Sequence, residues 1–147
     1  RRSGGVLMGT GNSFRRDDGV GLAVVEEIGK TELAGVRVVT AIGEPAAILD
    51  VWDGAQVAVV VDAAFGEGSR PGIVRRWTPG DEATGNMVSS HAFGLPQTYA
   101  LGSALGRLPQ RLVGFTIDVA DVSLGVGLTP AVAAAIPALI TAVVAEF

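Results

Sequence analysis

The sequence predicts an α/β protein, a doubly wound sheet with helices on both faces. Three observations predict it. Apolar, β-branched runs alternate with stretches of helical spacing along nearly the whole chain. The run Val57–Ala63 is apolar on both faces, which belongs in the middle of a helix-covered sheet. The 147 residues make one domain, 1–147, and a chain of this size buries roughly 70% of its unfolded surface without disulfide or metal.

Each element follows from local chemistry. Val6–Gly9 is a short apolar run ended by glycine, hence a buried strand. Thr10–Asp17 is a loop. From Asp18 to about Gly29, Val20, Val24, Val25 and Ile28 recur at helical spacing, and Gly29 is a natural stop. Val36–Ala41 is β-branched and reads as the second strand. Pro45 suits the first turn of a helix reaching about Trp52. After the strand Val57–Ala63, Gly66–Gly72 is a glycine-rich loop. Ile73–Trp77 is a strand whose Arg75 and Arg76 suit an edge. Thr78–Ser90 is a polar loop, too long for a simple connection and therefore a functional candidate. Leu95–Leu105 is a helix and Leu112–Val119 a strand. Thr129–Phe147 is a helix with Val132, Ile136, Leu139, Ile140, Val143, Val144 and Phe147 on one face, and Pro137 should kink it or loosen its preceding turn.

Composition excludes several functions. The chain has no cysteine, so no disulfide scaffold, thiolate metal site or thiol nucleophile. A single histidine excludes paired-His zinc motifs. Eleven basic residues against 15 acidic, net −4, leave no footprint for nucleic acid. Mean hydropathy is +0.44, which requires a check for membrane spans. The longest uncharged stretch, Val122–Ala145, is interrupted by Gly125, Gly127, Pro130 and Pro137, and no Lys or Arg follows Arg111. No membrane span is expected. Arg1–Gly5 leads into no apolar run of signal-peptide length, so the expected location is cytoplasmic.

Chemistry concentrates at the strand exits. Gly9-Thr10-Gly11-Asn12 has the setting of a dinucleotide fingerprint, but the third glycine would fall at Phe14. A Gly-rich strand exit accounts for it, with Asn12 holding the loop by side-chain hydrogen bonds. Asp17 and Asp18 open a helix. One is expected to cap it while the other points into the crevice. Asp62 is a carboxylate closing an apolar strand, expensive unless capped, paired or bound. If the first and third strands are neighbours, Asp18 and Asp62 meet outside their carboxyl ends. A hydrogen bond to the loop that follows is the plain alternative for Asp62. His91, after a long polar loop and before a helix, completes a three-ligand set. Two carboxylates and an imidazole suit a borderline ion such as Ni²⁺ or Zn²⁺ better than Mg²⁺ or Ca²⁺. Gly43 and Glu44, with Pro45, lie at the same sheet edge and either line a substrate groove or simply turn the chain.

These residues resemble a known family. Gly9-Thr10-Gly11-Asn12 with Asp17-Asp18-Gly19-Val20-Gly21 resembles the opening signature of the [NiFe]-hydrogenase maturation endopeptidases. Val60-Val61-Asp62-Ala63 followed by Pro71-Gly72 resembles their central strand and turn. Ser89-Ser90-His91 with Gly94-Leu95 resembles their histidine segment, and Leu124–Pro130 with Val132 their last motif. The four motifs occur in family order over residues 6–132. The resemblance implies a three-layer α/β/α sandwich on a five-stranded, mostly parallel sheet with one antiparallel strand, here Ile73–Trp77. It implies a protease that removes a C-terminal extension from the nickel-loaded large subunit of a hydrogenase. It implies metal contacts at Asp18, Asp62 and His91, which are also the expected catalytic residues. The first position is Glu in some members, so Asp18 has the shorter reach.

The expected mechanism has nickel carried in by the precursor, with another divalent ion able to replace it in vitro. Polarisation of the scissile bond or an activated water would drive hydrolysis, with Asp18 or Asp62 as general base. An aspartic dyad of Asp18 with Asp62 is the competing mechanism. Gly9, Gly11, Asn12, Asp17, Gly43 and Glu44 are candidates for contact with substrate. Arg15, Arg16, Arg70, Arg75 and Arg76 either meet acidic surface on the large subunit or are solvated loop and edge charge. The rival functions are a non-proteolytic α/β module that binds a nucleotide and one that binds a metal-loaded partner without cutting it.

Overall fold

The computed structural model describes residues 4–31, 33–41, 45–65, 68–80, 88–89 and 95–147. The strands are β1 (Gly5–Thr10), β2 (Val36–Ala41), β3 (Val57–Phe65), β4 (Val74–Trp77), β5 (Val88–Ser89) and β6 (Arg111–Asp118). The helices are α1 (Val20–Gly29), α2 (Pro45–Trp52), α3 (Leu95–Leu105) and α4 (Pro130–Val144), and a 3₁₀ turn, Arg16–Gly19, precedes α1. Among the described residues, five of the sheet's strands run in the order β2-β1-β3-β6-β4, with β5 off this path. The first four are parallel, and β4 runs antiparallel along β6 at the edge. This is the expected architecture, with Val74–Trp77 of the expected Ile73–Trp77 supplying the antiparallel strand. The two-residue β5, inside the expected loop Thr78–Ser90, adds antiparallel to the end of β3.

Two cores flank the sheet, because alternate side chains of a strand face opposite sides. Leu7, Val59, Val61, Val113, Phe115 and Ile117 meet Val20, Val24, Val25 and Ile28 of α1 and Val132, Leu139 and Val143 of α4. On the other side Val6, Met8, Ala58, Val60 and Leu112 meet Ile48, Leu49 and Trp52 of α2, with Leu95 and Tyr99 of α3 against them. The central strand β3 is therefore covered on both faces, which explains its unbroken apolar run. The Trp52 indole N–H donates to the Arg107 carbonyl at 2.9 Å, satisfying the one polar atom of that side chain.

Some boundaries differ from the expectation. Helix α1 starts at Val20, not Asp18, because the 3₁₀ turn occupies the two preceding positions. Helix α4 ends at Val144, and Phe147 leaves its apolar face to sit over Gly5, where a Cβ would come within 2.8 Å of the ring. No helix among the described residues is long and apolar enough to cross a membrane.

Candidate active site at the carboxyl edge of the sheet

The strand order reverses direction at β1 and β3. The chain leaves β1 for β2 on one side, while β3 lies on the other. Such a switch point opens a crevice outside the strand ends. Gly9 of β1 pairs with Val61 of β3, the residue before Asp62. Two glycines bring α1 down onto this edge. A Cβ on Gly9 would stand 2.4 Å from the Gly21 carbonyl oxygen. One on Gly21 would stand 2.4 Å from the Val61 carbonyl oxygen and 2.7 Å from that of Thr10. The turn carrying Asp17 and Asp18 consequently packs against β3.

Asp18 is 3% exposed. Its Oδ2 accepts a hydrogen bond from the Asn12 amide at 3.0 Å, and Asn12 Oδ1 accepts one from the Phe14 amide at 2.9 Å. Asn12 thus holds the loop with its side chain, as expected. Gly11, at φ +138°, crosses the Asp18 carbonyl oxygen so closely that a Cβ would stand 2.0 Å from it. The loop needs glycine there both for the dihedral and for the space.

Asp17 is fully buried. Neither it nor Asp18 caps α1 with its side chain; Gly19 holds the cap position. Asp17 reaches instead into the segment after β6. Its Oδ2 accepts from the amides of Ala120 (3.0 Å) and Asp121 (3.1 Å) and from the Thr129 hydroxyl (2.7 Å). Its Oδ1 accepts from the Thr129 amide at 2.7 Å. Backbone bonds continue the junction: Asp17 N to Asp121 O at 2.9 Å, Arg16 N to Gly125 O at 3.1 Å and Gly125 N to Phe14 O at 2.8 Å. Arg15 Nε donates to the Val122 carbonyl at 3.0 Å. Arg16 takes a left-handed φ of 46°, and its Nε lies 3.6 Å from Asp121 Oδ2. The Ser123 hydroxyl and amide, with Arg16 nearby, hold the Asp121 carboxyl below its ordinary value. The β1–α1 and β6–α4 loops are thereby joined into one unit.

Asp62 is partly exposed and lies within β3, which runs three residues beyond it. Its Oδ1 accepts the Ala63 amide at 2.8 Å. It stands level with Thr116 of β6, and Thr116 with Arg75 of β4. Arg75 forks onto Asp118, Nε to Oδ1 at 3.1 Å and Nη2 to Oδ2 at 3.0 Å, while the Arg70 amide reaches Oδ2 at 3.0 Å. The Asp118 hydrogen bonds hold the Arg75 guanidinium above its ordinary value. Arg75 is thus an internal partner of a fully buried carboxylate. Sequence reading passed over Asp118, although an acid closing an apolar strand is the signal that singled out Asp62. His91, Gly43 and Glu44 lie outside the described residues.

The structure therefore gathers Gly9, Gly11, Asn12, Asp17, Asp18 and Asp62 at one end of the sheet. Asp18, in the turn that packs on β3, and Asp62, in β3 beside the end of β1, carry carboxylate oxygens, a chemistry suited to holding a cation or taking a proton. A nucleotide phosphate is poorly served, because the Asp18 carboxylate already occupies the Asn12 amide.

A family model described as hydrogenase maturation protease, HycI, matches residues 22–146, beginning just after the Asp17–Asp18 turn. No curated protein matches the chain. The hydrogenase maturating endopeptidase HybD from E. coli is 19% identical with a TM-score of 0.81, the match covering 99% of this chain and 91% of that one. The [NiFe] hydrogenase maturation protease HybD from Thermococcus kodakarensis is 20% identical with a TM-score of 0.77, covering 99% of both chains. The maturation protease HycI from Thermococcus kodakarensis KOD1 is 19% identical with a TM-score of 0.70, covering 95% and 89%. At these identities the solved structures show a shared fold.

Proposed function

The chain belongs to the hydrogenase maturation protease family, and from that membership we propose that it removes a C-terminal extension from the nickel-loaded large subunit of a [NiFe] hydrogenase, in the cytoplasm. It is a peptidase, and its substrate is a hydrogenase precursor. The observation that carries the finer reading is the placement of Asp18, in the turn after β1, and Asp62, in β3 beside the end of β1, at the switch point of the sheet.

In this reading nickel is part of the substrate. Asp18, Asp62 and His91 offer two oxygens and an imidazole, a donor set that suits a borderline divalent ion. Other divalent ions of that class stand in for nickel in vitro. The partly exposed Asp62 is the better-placed general base. It takes a proton from the attacking water as the new C–O bond forms, and returns it to the amine as the C–N bond breaks. Asp18, held by Asn12, orients the bound segment.

Intact-mass spectrometry of the nickel-loaded precursor tests this. Wild type removes a C-terminal peptide. Nickel-free precursor stays uncut, and His91→Ala leaves the loaded precursor uncut. A loaded precursor that co-purifies with the protein yet keeps its mass would overturn the reading in favour of a binding-only role. Full activity of His91→Ala, with Asp18→Asn and Asp62→Asn both inactive, would replace it with an aspartic dyad.

A further inference from the structure

We propose that the joined tips of the β1–α1 and β6–α4 loops dock the folded body of the hydrogenase precursor through an apolar patch beside its C-terminal extension. This rests on the protease reading above and names a second contact for the same substrate, apart from the edge that receives the cut segment. Phe14, Leu124 and Val126 are 68%, 79% and 75% exposed, more than any other exposed large apolar side chain among the described residues. All three lie at one backbone junction, where Gly125, between Leu124 and Val126, donates to the Phe14 carbonyl at 2.8 Å. An exposed aromatic gathered with aliphatic residues is the usual anchor of a protein contact. The four hydrogen bonds on Asp17 fix the junction, so docking orders little that is not already ordered.

Position selects the occupant. Phe14 precedes Asp18 by four residues in a loop pinned to it through Asn12. A protein that delivers its chain to Asp18 comes in beside this junction. Charge selects the chemistry. Arg15 is bonded to the Val122 carbonyl and Arg16 pairs with Asp121, so the tip offers apolar contact rather than a grip on acidic surface.

The test compares Phe14→Ser, Leu124→Ser and the double variant with wild type on nickel-loaded precursor. Leu105→Ser, at a 56% exposed site on α3, is the control. The double variant should lose about tenfold or more in kcat/KM, through KM, while keeping the wild-type melting temperature and circular dichroism. The control should match wild type. An unchanged KM, or a loss confined to kcat, would overturn the docking surface. A wild-type dimer that the double variant dissociates would assign the patch to a second copy and overturn it too. Failure of wild type to cut would strike the protease reading instead. If the double variant melts early, Val126→Ser carries the same comparison.

Discussion

Asp17 and Asp18 are adjacent and chemically identical, yet their surroundings give them separate work. Asp17 satisfies four donors in the distant β6–α4 loop, whereas Asp18 satisfies the Asn12 amide and stands at the candidate site. Asp17→Ala should cost about 3 kcal/mol, since several buried donors lose their acceptor. Asp18→Ala should cost about 1 kcal/mol but abolish precursor cleavage. Thermal melting and a cleavage assay on the two variants separate stability loss from activity loss. That two adjacent carboxylates exceed what one helix cap requires was legible in the sequence. Which did what was not, because the partners of Asp17 lie 103 to 112 residues away and no local period marks a loop-to-loop bond. Thr129 shows the same limit. It read as the start of a helix, but its amide and hydroxyl both go to Asp17, and α4 begins at Pro130.

At the scale of elements, the close contact between α1 and the sheet sets where the turn can stand. Gly21→Ala would drive a Cβ into two backbone carbonyls that have no rotamer to yield. It should destabilise the fold by about 3 kcal/mol and lower cleavage as the turn shifts. Urea unfolding with a parallel activity assay measures both. Elements bounded by strong signals were legible to the residue. β2 follows its β-branched run, α2 starts at its proline, and α3 spans Leu95–Leu105 as expected. The misses have physical causes. Two acidic residues before an apolar run imitate a helix cap, although the 3₁₀ turn there makes no side-chain cap. A two-residue strand such as β5 has no period to detect.

Across the whole molecule, Glu146 fastens the segment after α4 to the sheet. Arg76 Nε donates to its Oε2 at 2.8 Å, and Arg111 Nη1 to its carbonyl at 3.1 Å. These arginines hold the Glu146 carboxyl below its ordinary value of 4.5 despite the opposing effect of burial. Its stabilisation is therefore full above that value and is lost as pH falls through the lower, folded one. Both arginines are about half exposed, so solvent screens the pair. Glu146→Gln should cost about 1 kcal/mol at neutral pH and nothing once the wild-type carboxyl is protonated, as melting at a series of pH values will show. The bond between Asp17 and the loop after β6 has a consequence for the order in which the protein is made. A ribosome that has completed β3 has already released both candidate carboxylates into the growing chain. The turn that carries Asp18 still lacks its anchor until residues 120–129 emerge. Closing so long a loop is a late event in folding. A nascent chain thus carries both candidate carboxylates well before the turn that bears Asp18 can be fastened in place.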